Sequence, residues 1–206
     1  MRCFGDGDPL YERYHDEEWG RPVAEENALF ERITLEAFQS GLAWITILRK
    51  REGFRAAFHR FDPERVARMG EEDVEKLLND RSIVRNRAKI RATIANARAL
   101  SALHAEGNSL SEILWSYARP ASVAPRDFSE VPAHSEEARL LSKRLKSLGF
   151  RFLGPTTAYA TLQAVGVVND HLGGCRVRRA VERDRDDFFA GRPRGRSSSS
   201  NPFFGS

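Results

Sequence analysis

Residues 168–175, VNDHLGGC, set a cysteine four positions after a histidine in a chain that has only two cysteines. At i, i+4, His171 and Cys175 share one face if a helix runs through them, although Gly173 and Gly174 weaken that case. A spacing of three residues suits a tetrahedral metal in either helix or turn. Cys3 and His15, near the other end, offer a second sulfur and a second imidazole. Two thiolates and two imidazoles favour zinc, which they satisfy without leaving an open coordination position. Spacing alone slightly favours a plainer assignment, since no zinc-finger pattern separates Cys3 from His15 in this way. On that assignment Cys3 is a frayed terminal residue, His15 a surface residue and Cys175 a small buried apolar group. His59, His104 and His134 have no cysteine nearby and read as exposed or capping residues.

Aromatic side chains surround these candidates: Tyr11, Tyr14 and Trp19 near His15, and Trp44 in GLAWITIL. Core packing is the simpler role for any one of them. Glu36, in TLEAF, lies about a turn from Ile33, where a solvated helix face is a fair reading.

These residues need a scaffold, and the periodicity points to helices. ENALFERITLEAFQSGLAW lines Leu29, Phe30, Ile33 and Ala37 on one face and leaves Glu31 and Arg32 on the other. In FDPERVARMG, Asp62 is an N-cap, Pro63 a first-turn residue and Gly70 an exit. EEDVEKLLND and RNRAKIRATIANARALSALHAEG continue the helical pattern. Ser109 and Glu112 are spaced as a capping box, and SEEARLLSKRLKSLG closes on Gly149. PTTAYATLQAVGVVNDH reads as the last helix. With no alternating strands and no internal repeat, the expected class is all-α.

With 206 residues and 41% hydrophobic composition, one domain is the default. No apolar run approaches the ~20 residues of a membrane span, and the N-terminus lacks a secretory apolar stretch, so a cytoplasmic protein without disulfides is expected. The net charge of +4 is localised: residues 176–206 hold eight arginines against four acids, so residues 1–175 balance at zero. Any nucleic-acid surface in the body must therefore be a local patch. The expected boundaries are a helical domain over 1–185 and a disordered Arg/Ser-rich tail over 186–206.

Four stretches, RCFGDGDPLYERYHDEEWGRP, LEAFQSGLAWITILRKREGFRAAF, IVRNRAKIRATIANARA and GFRFLGPTTAYATLQAVGVVNDHLGGC, resemble the bacterial 3-methyladenine DNA glycosylase I family in order and spacing. This family lies within the helix-hairpin-helix glycosylase superfamily. The resemblance implies a helix-hairpin-helix glycosylase fold in which one structural zinc ion, held by Cys3, His15, His171 and Cys175, staples the N- and C-terminal segments. It implies a monomeric enzyme that flips 3-methyladenine out of alkylated double-stranded DNA and hydrolyses its glycosidic bond, leaving an abasic site with no lyase step. Trp44 then looks like the stacking residue and Tyr14 a hydrogen-bonding wall, with Trp19, Tyr11 and Phe4 around them. Glu36 looks like the pocket carboxylate for recognition and charge stabilisation. NDRSIVRNRAKI, residues 79–90, looks like the DNA hairpin, with Ser82, Arg85, Arg87 and Lys89 as contacts and Leu42 as the plug behind the flipped base.

Three departures from the family pattern stand out: serine in place of glycine at Ser82, the shortened Cys3-Phe4-Gly5, and Phe38 where a polar residue is common. Two other readings stay open, a non-catalytic reader of alkylated DNA and a hydrolase that uses the Cys/His ion directly.

Overall fold

Side chains that precede the helices supply acceptors for their first free N–H groups. Asp8 accepts from Leu10 and Tyr11 and opens α1 (Pro9–Glu17). Glu25 opens α2 (Glu26–Gln39), which Gly41 separates from α3 (Trp44–Arg49) and α4 (Arg51–Ala57). Asp62 caps α5 (Pro63–Ala67) as expected. Gly70 does not close that helix; it is the N-cap of α6 (Glu71–Asn79), where the Asp73 carboxylate accepts its N–H. Asn86, Ser109 and Ser135 cap α7 (Arg87–Ala105), α8 (Leu110–Trp115) and α9 (Glu136–Ser147), at about 1 kcal/mol each. Gly149, at φ +94°, turns the chain out of α9.

The computed structural model describes residues 1–119 and 123–191, and these contain helices and no strand. α10 (Pro155–Ala164) stops short of VNDH and is not the last helix, because α11 (Arg178–Ala190) follows. α11 also carries ordered chain past the boundary expected at residue 185. The remainder of the expected tail, from residue 192, lies outside the described residues. None of the described helices is long and apolar enough to cross a membrane.

α2 is the central element, touching α3, α7, α8 and α10. Every residue from Leu29 to Phe38 is buried. Leu29, Phe30, Ile33, Leu35 and Phe38 enter the main core, each contributing roughly 1.5–3 kcal/mol. The face expected to be solvated is buried as well. Glu31 accepts from Arg51 and Arg55, and Arg32 donates to Glu18, so charge pairing permits what the apolar pattern would forbid. A second, smaller cluster forms away from that core around Tyr14, Trp19, Leu48 and Ala164, with Cys3, Phe4, Tyr11 and Trp44 packed on it.

Candidate functional site

One pole of the small cluster is built from the chain ends. Cys3, His15, His171 and Cys175 place their ligand atoms within 4.8 Å of one another, the last three buried. Cys3 Sγ lies 3.6 Å from His171 Nδ1, and Cys175 Sγ lies 3.4 Å from His171 Nδ1 and 3.5 Å from His15 Nε2. Tetrahedral bonds of roughly 2.0–2.3 Å imply ligand separations of roughly 3.3–3.8 Å, so the set fits a metal ion. The outer nitrogens fix which ring atoms carry lone pairs. His15 Nδ1 meets Asp16 at 2.8 Å and His171 Nε2 donates to the Trp19 carbonyl at 3.0 Å, which turns His15 Nε2 and His171 Nδ1 toward the sulfurs.

Burial holds the histidines neutral, lowering His171 to about 4, and it pushes the Cys3 thiol up to about 12. A cation would reverse the thiol shift. His171 and Cys175 sit in a turn rather than on a helix. Gly20 lets that turn close: a Cβ there would lie 3.2 Å from the His171 ring, at φ +80°. Cys3 and Cys175 are not joined by a disulfide.

The other pole is aromatic. Tyr14 and Trp44 have ring centroids 5.2 Å apart, tilted by 43°. Phe4 packs on Tyr11 at 4.9 Å, on Trp19 at 5.0 Å and on Tyr14 at 6.4 Å, so the shortened N-terminal spacing still delivers an aromatic ring to this wall. Trp19 lies further back, against the rings of His15 and His171. Phe38 points the other way, into the main core on Phe54 and Phe58, and this departure leaves the aromatic wall untouched.

Glu36 is buried rather than solvated, at 7% exposure. It has no hydrogen-bond or ion-pair partner among the described residues, and its charge is felt by Tyr11 and Tyr14. Burial pushes its carboxyl from 4.5 up to about 8, with Arg32 opposing the shift. Two buried donors nearby in sequence, Trp44 Nε1 and Arg32 Nη1, also lack acceptors. Two open clefts elsewhere, one beside Trp115 and Phe189 and one beside Gly70 and Arg98, hold neither a buried carboxyl nor an orphaned donor.

A stability prediction follows from the raised carboxyl. The folded state keeps a proton that the unfolded chain releases near 4.5, so this contribution is full below that pH and fades as pH rises through about 8. The Glu36→Gln variant is therefore expected to gain stability over wild type as pH rises across that interval, by on the order of a few kcal/mol. Urea midpoints measured at both ends would show a constant difference if the carboxyl were ionised throughout.

The residues expected to contact DNA are not equivalent. Leu42 projects at 38% exposure, next to Gly41 at φ +84°. Ser82 is exposed and outside the left-handed region, so serine needs no strain there; its carbonyl would lie 2.5 Å from a Cβ on Gly53. Arg85 is exposed without an ion pair among the described residues, whereas Arg87 is paired with Glu75 and Glu71. Lys89 corrects the expectation outright. It is buried, and its Nζ donates to the Phe38 and Ser40 carbonyls at 2.9 and 2.8 Å, closing the end of α2.

Sequence reasoning read α9 and α10 as helices but did not pair them as a second helix-turn-helix. α10 opens at Gly154 with no side-chain cap, and a Cβ there would meet open space. Its signals were Gly149, Gly154 and Pro155.

The fold and this pair of poles place the chain among the helical DNA glycosylases. The structure matches a crystal structure of 3-methyladenine DNA glycosylase I with a TM-score of 0.83 and 46% identity, covering 85% of this chain and 98% of that one. A structure of the Staphylococcus aureus enzyme, described as showing the basis of 3-methyladenine recognition, matches at TM-score 0.80 and 39% identity over 85% and 95%. DNA-3-methyladenine glycosylase 1 of Escherichia coli is 48% identical over 170 residues, 82% of this chain and 91% of that protein. Residues 4–179 match the methyladenine glycosylase family model, and the chain belongs to that family.

Proposed function

We propose that this protein is a DNA-3-methyladenine glycosylase that flips the alkylated nucleotide into the aromatic pole, hydrolyses its glycosidic bond and leaves an abasic site. The observation that carries the reading is a buried, unpartnered carboxyl, Glu36, at an aromatic wall. Methylation at ring nitrogen 3 makes the purine cationic, and stacking on Trp44 beside Tyr14 suits a flat cation. Glu36 accepts from the exocyclic amine and, as carboxylate, complements the charge. When the C–N bond breaks, its electron pair returns to the base and neutralises it, so strong acid assistance is unnecessary. Water adds to the anomeric carbon and gives its proton to solvent. The protein's part is selection, orientation and electrostatics.

We assign zinc to the four-residue cluster, where it would contribute binding energy to the folded state and hold α1, which carries Tyr11 and Tyr14, against the 168–175 turn. For the duplex we assign Leu42 as the plug and Arg85 as a phosphate contact. The open N-terminus of α10 supports a backbone grip on phosphate better than α7 does, because Asn86 already occupies the end of α7. Arg85→Ala is expected to reduce the slope of log K against log salt by about one. Lys89→Met should leave that slope unchanged while costing roughly 1–3 kcal/mol in urea unfolding. A salt slope reduced by Lys89→Met would return that lysine to the DNA surface.

Chromatography of free bases released from methylated duplex DNA tests the reading. Release of 3-methyladenine supports it. Duplex binding with no released base would favour a non-catalytic reader of damage.

A further inference from the structure

Arg32 lies one helical turn before Glu36 on α2, on the side of the helix that meets Tyr14. Its side chain is as buried as Glu36, at 7% exposure. Nη2 donates to Glu18 at 2.6 Å, and the guanidinium carbon sits 5.7 Å from the Tyr14 ring centroid. Nη1 has no acceptor, which is unusual for a buried guanidinium donor.

The surrounding charges show why. Glu18 also accepts from Arg51, and Glu31 accepts from both Arg51 and Arg55. Arg55 also pairs with the exposed Glu52, so the network is balanced overall, but at its buried end Arg32 shares Glu18 with Arg51 and its positive charge is only partly offset. An ionised Glu36 would balance it.

We infer that Arg32 is a positioning residue for base excision, a fixed cation in the pocket wall that eases the ionisation of Glu36 when the cationic base arrives. The inference rests on the function proposed above. With Glu36 protonated, an incoming cation meets the partly offset charge of Arg32; with Glu36 ionised, it meets a pair whose carboxylate can accept the exocyclic amine. Arg32 thus costs some repulsion and supplies the ionisation that outweighs it, because a buried carboxylate is stabilised by a charge one turn away. The remaining charged or titratable groups around Glu36 do not substitute for it. Tyr11 and Tyr14 on α1 are neutral, Glu18 is held by Arg32 and Arg51, and the cations that reach α2 from other helices are engaged, Arg51 on α4 with Glu18 and Glu31 and Lys89 on α7 with the α2 carbonyls.

The test is single-turnover release of 3-methyladenine from methylated duplex DNA by full-length protein, from about pH 5 to pH 9, with spontaneous loss subtracted. Arg32→Met leaves Glu18 paired with Arg51, and Arg32→Gln also keeps a donor for Glu18, so a folded variant without the charge is available. Both are expected to move the rising limb of the profile upward by about one pH unit or more. Release then falls roughly tenfold near neutrality and converges on wild type at the alkaline end. Arg32→Lys should follow the wild-type profile. In a Glu36→Gln background, Arg32→Met should produce no further shift.

A loss of equal size at every pH, or profiles that superimpose, would overturn the inference and leave Arg32 with a packing role. Absence of release by wild type would instead overturn the proposed function itself.

Discussion

Glu36→Gln is expected to lower single-turnover release of 3-methyladenine by roughly 10²–10³-fold, while duplex affinity changes little. Glutamine matches the carboxyl in size and still offers an oxygen to the exocyclic amine, so the pocket keeps its shape. What it cannot supply is negative charge facing a cationic base, in a site where 7% exposure leaves little water to screen the interaction. The loss should therefore appear in the chemical step and not in the encounter with DNA, whose proposed contacts, Leu42, Arg85 and the start of α10, belong to other segments. A variant that released base at the wild-type rate would remove Glu36 from the reaction. The aromatic wall and the leaving-group ability of the cation would then have to suffice. The same variant is expected to be more stable than wild type at alkaline pH, which separates loss of chemistry from loss of fold.

Replacing Cys175 by alanine should have the largest effect on structure. Among the four cluster residues its sulfur makes two of the three recorded sulfur–nitrogen approaches, to His15 at 3.5 Å and to His171 at 3.4 Å. Losing it unties α1 from the turn before α11. With zinc in the cluster as proposed above, we expect loss of the ion and at least about 3 kcal/mol of stability, roughly 6–12 °C in Tm for a chain of this size. The main core around Phe30, Phe38, Phe54 and Phe58 is a separate cluster and should retain helical circular dichroism, whereas the near-ultraviolet signal of the Phe4, Tyr14, Trp19 and Trp44 group should collapse.

A chelator should reproduce this behaviour, with activity and aromatic signal falling together. Turnover abolished by chelation with the aromatic signal intact would instead mean that the ion takes part in hydrolysis directly.

Several parts of this architecture were legible because their causes are local. Asp62 before Pro63, Ser109 and Gly149 set helix ends through groups a few residues apart, and each does so in the structure. The four metal-ligand candidates were nameable from residue type, and the family resemblance joined them; spacing alone left a plainer assignment ahead.

Other features depend on partners far along the chain. Apolar periodicity put Glu31 and Arg32 in solvent because it has no record of Arg51, Arg55 or Glu18, whose charges make their burial affordable. Lys89 read as a basic DNA contact until the end of α2 arrived to claim its ammonium. Phe38 read as a change in the pocket, yet α4 turns it into the core.

The sequence by itself determined the helical class, several helix ends and the list of groups able to do chemistry, since capping and periodicity act within a turn or two. Only the tertiary structure decided which charges are buried, which thiols and imidazoles converge, and that Glu36 is buried near Tyr11 and Tyr14 with no hydrogen-bond partner among the described residues. Desolvation and pairing are properties of groups brought together from distant segments, and no local pattern encodes them.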